Sequence, residues 1–536
     1  MQPSWLSLLP PIIVLISAFI TKKLNPSLLI GLIAATFIAS KYSLPDTLRL
    51  TADRLMTQIT DVDYLYLYGF LLLIGVIILL LGSTGGASSF ARTVEGKIKN
   101  RKGVESLSLC LSSLLFIDDY LSSLTVGYIV RPLSDKFKIP RVKLAYLIHS
   151  LSGPLVILAP ISSWVAMIIS QLNSSGIGLD TAEGSKIIAD PFFVYLHSIP
   201  FIFYSFLTIM SIWFIVRKRI SFGPMHEHEM IAEHKNNLFG GKEIINQRLA
   251  TNNHKQGKLI DLILPLGILI GSIFLGIAYM GGYWLFGGSN TLLEAFKNNS
   301  DTFLVLFASA VITLVFSLIF SLVRKRISIS EVPTIIKDGI LLMYPAVLMV
   351  FLASALGTVL REDLFVGQYL ANLLQGFLST SMLPCVLFIV ATIVATITGS
   401  SWGTIALLLP IAIQMILALM HAQTPLLPHD IGILYPALGA IFSGAVCGDH
   451  ISPVSETTIM AATSSGSDPL DHSYTQFFYM IPVIISTAIA FAISGYMSSY
   501  STTANVVTSL GVATIVCLGM IYILHIMQKA KNKKLA

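Results

Sequence analysis

The chain has 536 residues, of which 54% are hydrophobic and only 12% charged, with a formal net charge of +6 and a mean hydropathy of +0.78. A soluble domain carries about 25% charged residues, so this composition excludes a chain that must cover a water-facing surface. The basic excess reads as the cytoplasmic bias of Lys and Arg in a membrane protein and not as a nucleic-acid footprint.

Apolar runs of about 20 residues recur along nearly the whole chain, the length a helix needs to cross ~30 Å of hydrocarbon. Long uninterrupted runs do not suit the alternation of a β-barrel, so the prediction is an all-α polytopic membrane protein. The first segment, MQPSWLSLLPP, has no positive leader and no small-residue cleavage site, and is expected to be a retained first span. The basic clusters are Lys22-Lys23, Arg92 to Lys102, Arg131 to Lys143, Arg217-Lys218-Arg219 with the loop to Lys258, Arg324-Lys325-Arg326, and the tail Lys529 to Lys534. Placing all of them in the cytoplasm demands spans near 5–21, 26–41, 64–84, 191–216, 258–282, 302–323, 338–360, 475–497 and 504–528. The N-terminus then lies outside and the C-terminus inside the plasma membrane, and Arg49 and Arg54 fall on the outer side.

Two segments resist this scheme. Residues 104–130 lie between two basic loops and must enter and leave on one side, with FIDD near the meeting point of two short arms. Residues 381–420 carry the break TGSSWGT (Thr398 to Thr404) near their middle and must return to the other side. Both read as re-entrant hairpins. Each precedes a polar-broken span: LSGPLVILAPISSW (Leu151 to Trp164) and FSGAVCGDHISPVSETT (Phe442 to Thr458). The expected organisation is a first repeat over 1–216, a cytoplasmic linker over 217–257, a second repeat of inverted topology over 258–500, and a closing helix with a basic tail over 501–536. Inverted repeats with broken helices are how secondary transporters hold a site near the midplane.

The polar residues in these breaks carry the chemistry. A charge at the bilayer centre costs ~2.5–3.5 kcal/mol on insertion scales, and Asp118 and Asp119 are adjacent with no Lys or Arg in their hairpin. They must face water, bind a cation or carry a proton. In TGSSWGT, glycines flank serines, which frees backbone carbonyls and hydroxyls as hard oxygen ligands from Thr398, Ser400, Ser401, Trp402's backbone and Thr404. GDHISPVSETT puts Asp449, His450, Ser452, Ser455, Glu456 and Thr457 in one stretch, with Gly448 and Pro453 expected to break the helix around it. An imidazole beside a carboxylate can relay protons near neutral pH. In the first broken span Ser162 and Ser163 are the matching hydroxyls, and His149 is a lone intramembrane imidazole. The cytoplasmic His226-Glu227-His228 and His234 lack the HExxH spacing and read as a solvated loop. The four cysteines, Cys110, Cys385, Cys447 and Cys517, show neither a disulfide framework nor zinc spacing.

FIDDYLSSLTVG, RPLSDKFKIPRVKLAYLIHS, APISSWVAMII, TGSSWGT and GDHISPVSETTIM together resemble the NhaC family of Na⁺/H⁺ antiporters, in that family's order. The likeness covers residues 81–171 and 396–476 well and the rest by hydropathy. It implies an inverted-repeat fold, exchange of Na⁺ for H⁺, and an ion site at Asp118, Asp119 and Gly448 to Thr458. The family usually has Asp where this chain has His149 and where it has Glu456, and Thr-Ser where it has Ser400-Ser401.

The leading expectation is Na⁺/H⁺ exchange without ATP, since no GxxxxGK[ST] occurs. Asp119 and Asp449, with Asp118, would hold Na⁺ or H⁺, and Ser400, Ser401, Thr404, Ser452 and Thr457 would complete the shell. A second reading keeps the fold but moves an amino acid or organic acid coupled to Na⁺ or H⁺, bound at the breaks near Ser162 and Ser400. An intramembrane aspartyl protease would need a GxGD pattern, and Val446 stands where its first glycine should be. A channel is a further class. The expected partners are Na⁺ and H⁺, a small organic solute under the second reading, the lipid bilayer, and a second copy of the chain. No cofactor and no nucleic acid is expected.

Overall fold

The structure is a computed structural model, and it describes residues 5–21, 23–86, 89, 98–179, 186–242, 257–297, 302–374, 379–420, 425–453 and 455–535. Lys22, Arg92, Lys97 and the 243–256 stretch of the expected linker lie outside these residues. The helices run in order: α1 Leu9–Thr21, α2 Leu24–Ala39, α3 Leu44–Thr60, α4 Val62–Ser83, α5 Arg101–Leu114, α6 Asp119–Lys136, α7 Arg141–Leu158, α8 Ser163–Ser174, α9 Pro191–Ser198, α10 Phe203–Lys218 and α11 Gly223–Lys235. They continue with α12 Ile260–Met280, α13 Leu292–Lys297, α14 Thr302–Val323, α15 Val332–Thr358, α16 Val366–Leu374, α17 Leu383–Thr398, α18 Ser401–Leu419, α19 Leu434–Ile451, α20 Glu456–Ser465, α21 Pro469–Tyr496 and α22 Thr502–Leu535. Strand is confined, among the described residues, to a parallel pair, Ile177–Gly178 with Ile187–Ile188.

Nine helices among the described residues are long and apolar enough to cross a membrane, ten if the pair Pro191–Phe201 and Phe203–Lys235, bent by 45°, is one span. This is a multi-pass helical membrane protein. The first two expected spans are short apolar helices, Trp5–Ala18 and Asn25–Ala39. At 1.5 Å per residue each falls below the hydrocarbon thickness. They pack on each other, and α2 also packs against α15.

Helix α3 fills a stretch left between two expected spans. It carries Arg49 and Arg54, the two arginines that parity put outside. Arg54 bonds Glu362 at 2.8 Å and Asp363 at 2.9 Å, so its charge is met by the end of the α15 segment.

The expected hairpins are α5/α6, broken at 115–118, and α17/α18, broken at Gly399-Ser400; the second differs from expectation, because each of its arms is itself long and apolar enough to cross a membrane. The two broken spans are α7/α8, interrupted at 159–162, and α19/α20, interrupted at 452–455. The second hairpin turns because Gly399 takes a left-handed φ of +65° and the Ser400 side chain then caps α18 by accepting from Gly403 N–H at 3.1 Å. Each hairpin is tied to the broken span of its own half. Ser163 N–H donates to the Ile117 carbonyl at 3.0 Å, and Ser452 Oγ donates to the Thr396 carbonyl at 2.9 Å. The halves then cross: α6 packs on α20, and α18 packs on α8.

One expectation is corrected. Gly448 does not break its helix; α19 continues through it to Ile451, and the break begins at Ser452 beside Pro453. Gly448 is there for packing. A Cβ at that position would lie 2.4 Å from the Thr392 carbonyl oxygen, and one at Gly444 would lie 2.6 Å from the Phe388 carbonyl oxygen. These glycines let α17 and α19 approach backbone to backbone.

Candidate functional site

The four breaks converge on one cavity of about 500 Å³. Its wall includes Asp119, Asp449, Glu456, Ser400, Trp402 and Trp164. The helices that follow the breaks, α6, α8, α18 and α20, each put a residue of their first turn in its wall: Asp119, Trp164, Ser401 and Glu456. A helix N-terminus carries unpaired N–H groups and the positive end of the macrodipole. Four such ends around one cavity make it hospitable to negative charge, which accounts for acidic residues in the first turns of α6 and α20.

Asp449 is the most elaborately held carboxylate. Ser455 Oγ donates to Oδ1, Thr457 Oγ1 donates to Oδ2 at 2.5 Å, and His149 Nε2 lies 3.2 Å from Oδ2. The hydrogen on His149 follows from its neighbour. The Gln476 amide nitrogen sits 2.6 Å from the His450 carbonyl oxygen, which fixes it as the N–H₂ end, and the same nitrogen is 3.0 Å from His149 Nδ1. Nδ1 therefore accepts, and Nε2 carries a hydrogen toward the pair formed by Asp449 Oδ2 and Thr457 Oγ1, the latter 3.0 Å away. His472 Nε2, 3.1 Å from His149 Nδ1, extends this buried chain.

The expected site residues divide clearly. Asp119, Asp449, Glu456, Thr457, Thr398, Ser400, Ser401 and Trp402 line the cavity. Asp118 turns away and accepts from Ser163 Oγ at 2.9 Å, joining the two breaks of the first half. His450 faces Tyr204, whose hydroxyl is 3.0 Å from its Nδ1. Ser452 is committed to the Thr396 carbonyl, and Thr404 Oγ1 to the Ser400 carbonyl at 2.8 Å. Ser455 and His149 stand behind Asp449. Ser162 is buried, and its hydroxyl has no hydrogen-bond partner among the described residues.

Several lining residues escaped the sequence reading. Tyr120 donates to Glu456 at 2.5 Å, and Lys23, between α1 and α2, and Asn25, in the first turn of α2, line one wall. Tyr120 was legible as the neighbour of Asp119. In the sequence, Lys23 reads only as a sign of sidedness. Gln476 and His472 lie on an ordinary apolar span, and no local pattern marks them.

The Na⁺/H⁺ antiporter family model matches residues 155–496. An uncharacterized protein of Haemophilus influenzae is 30% identical over 500 residues, 92% of this chain and 91% of that one. The malate-2H⁺/Na⁺-lactate antiporter of Bacillus subtilis is 34% identical over 122 residues, 23% of this chain and 24% of that one. The Na⁺/H⁺ antiporter NhaC of Alkalihalophilus pseudofirmus is 28% identical over 159 residues, 29% of this chain and 32% of that one.

Proposed function

Because the chain belongs to the Na⁺/H⁺ antiporter family, whose members are secondary transporters and not enzymes, we propose that it exchanges Na⁺ for H⁺ through Asp119 and Asp449. The observation that carries this is that the two carboxylates, one from each half of the chain, line the same cavity. Each can hold a proton or offer oxygen to a cation, and the two cargoes compete for the same lone pairs. Ser400, Ser401 and Thr457 supply further oxygens on the same wall. His149, Ser455 and Thr457 hold the Asp449 carboxylate in one orientation. The two halves act as inverted repeats in the plasma membrane, with the N-terminus outside and the C-terminus cytoplasmic. The cross-packing of α6 on α20 and α18 on α8 supports this arrangement.

A second reading is favoured by one feature, the size and polarity of the cavity. About 500 Å³ is room for more than ten waters at ~30 Å³ each, far more than one bare Na⁺ needs. Four helix N-termini and Lys23 suit the carboxylate of a small organic acid. The B. subtilis relative carries malate and lactate in its name. On this reading Na⁺ or H⁺ rides with the acid, and the fold is unchanged.

One experiment separates the two. Purified protein is placed in acid-loaded liposomes with a pH dye, NaCl is added, and then a panel of carboxylates at fixed Na⁺. Proton efflux on NaCl alone supports Na⁺/H⁺ exchange. Efflux that needs a carboxylate supports the second reading. Asp449→Asn is expected to lower either flux at least a hundredfold while the protein stays folded by size-exclusion chromatography. Wild-type flux in that variant rejects the site.

A further inference from the structure

The central cavity is not alone. A second polar cavity, also about 500 Å³, is lined among others by Asp61, Asp190, Asn173, Ser174, Thr358 and Arg361. Helices α8 and α15 run between the two. Trp164 and Met349 lie in the wall of the central cavity, while Ser174 and Thr358, further along the same two helices, lie in the wall of the second. From Trp164 to Ser174 is about 15 Å of helix at 1.5 Å per residue.

The interface between these ends is closed but polar. Ser170 Oγ and Ser354 Oγ are 3.3 Å apart, and Gln171 Nε2 donates to Ser354 Oγ at 3.0 Å. All three residues are fully buried. Beyond them Thr358 Oγ1 bonds the Ser354 carbonyl and Ser174 Oγ bonds the Gln171 carbonyl. Small hydroxyls alone would be ordinary helix-packing residues. Gln171 is different. Its Oε1 is buried with no hydrogen-bond partner among the described residues, and leaving such an acceptor unmet costs about 1–3 kcal/mol. A hard, unmet oxygen between two polar cavities is placed to meet cargo or water passing through.

We propose that the seam of Gln171 and Ser354 between α8 and α15 is the closed gate of the transport path, joining the central site to the second cavity as the vestibule on the opposite face. When the seam parts, the Gln171 amide and the serine hydroxyls replace water around the moving cargo. This rests on the transporter reading but not on which cargo is moved.

The test uses Ser354→Cys in the full chain with Cys110 and Cys385, the two cysteines that are not buried, changed to Ala. A membrane-impermeant cationic methanethiosulfonate is added in proteoliposomes at the face of the second cavity. Labelling is expected to rise at least tenfold during turnover. Ser317→Cys, equally buried on α14 and lining neither cavity, is the control. A rate equal to that control while transport proceeds overturns the gate and leaves the transporter reading intact. Acceleration by a carboxylate but not by NaCl keeps the gate and overturns Na⁺/H⁺ exchange. If Ser354→Cys does not transport, Gln171→Leu decides. Its transport is expected to fall at least tenfold, with cargo affinity at the central cavity within twofold of wild type. Transport within twofold of wild type overturns the proposal.

Discussion

On the proposed reading, His149 acts on transport without touching cargo. It stands behind Asp449 and directs its Nε2 hydrogen at that carboxylate and the Thr457 hydroxyl bonded to it, while Gln476 occupies its other nitrogen. Hydrogen bonds to charged groups contribute about 1.5–3 kcal/mol. His149→Ala is therefore expected to raise the half-saturating cargo concentration by about tenfold or more, measured as dye-reported flux against cargo concentration. A second residue-scale prediction concerns Lys143. It is buried between Glu105, at 2.9 Å, and Glu229. Removing one partner of a buried ion pair costs about 3–5 kcal/mol. Lys143→Met is expected to lower thermal stability in detergent sharply. Lys242→Met, which breaks the exposed pair with Asp471, is expected to change it by no more than about 1 kcal/mol.

Among the elements, the two broken spans look alike in sequence and differ in their neighbours. Both open with Ser-Gly. A Cβ at Gly153 would meet Val446 Cγ1 at 3.4 Å, an ordinary contact, whereas at Gly444 it would strike the α17 backbone at 2.6 Å. Gly153→Ala is expected to be neutral or slightly stabilising, since Gly within a helix costs about 0.5–1 kcal/mol relative to Ala. Gly444→Ala is expected to lose about 1–3 kcal/mol through overpacking. Unfolding curves of both variants in one detergent check this. The breaks themselves were legible, because Gly, Pro and paired polar residues interrupt apolar runs at 115–118, 159–162, 399–400 and 452–455. The role of Gly448 was not, because a glycine that ends a helix and one that admits a neighbour have the same letter and differ only in what packs beside them. The orientation of Asp118 was equally hidden: adjacent residues at a helix start point in different directions, and only Ser163 shows which way.

For the whole molecule, sidedness is the open consequence of the charge pattern. Lys23 borders the central cavity, and Arg49 lies on the exposed side of α3. Single cysteines at Lys23 and at Arg49, without Cys110 and Cys385, are expected to react with impermeant reagents from opposite faces, Lys23 from the cytoplasm. Labelling of both from one face rejects the arrangement. The wider consequence comes from the four helix starts around the cavity. The first turn of a helix has no ladder bond to lose at its N–H groups, so a side chain there can change without breaking the helix ladder, save where it ties neighbouring segments together, as Ser163 and Ser401 do. Preference for cargo is thereby uncoupled from insertion and folding. A lineage built on this plan can exchange acids and hydroxyls at those starts without cutting a helix ladder, and divergence of cargo is expected to follow from where the backbone is interrupted.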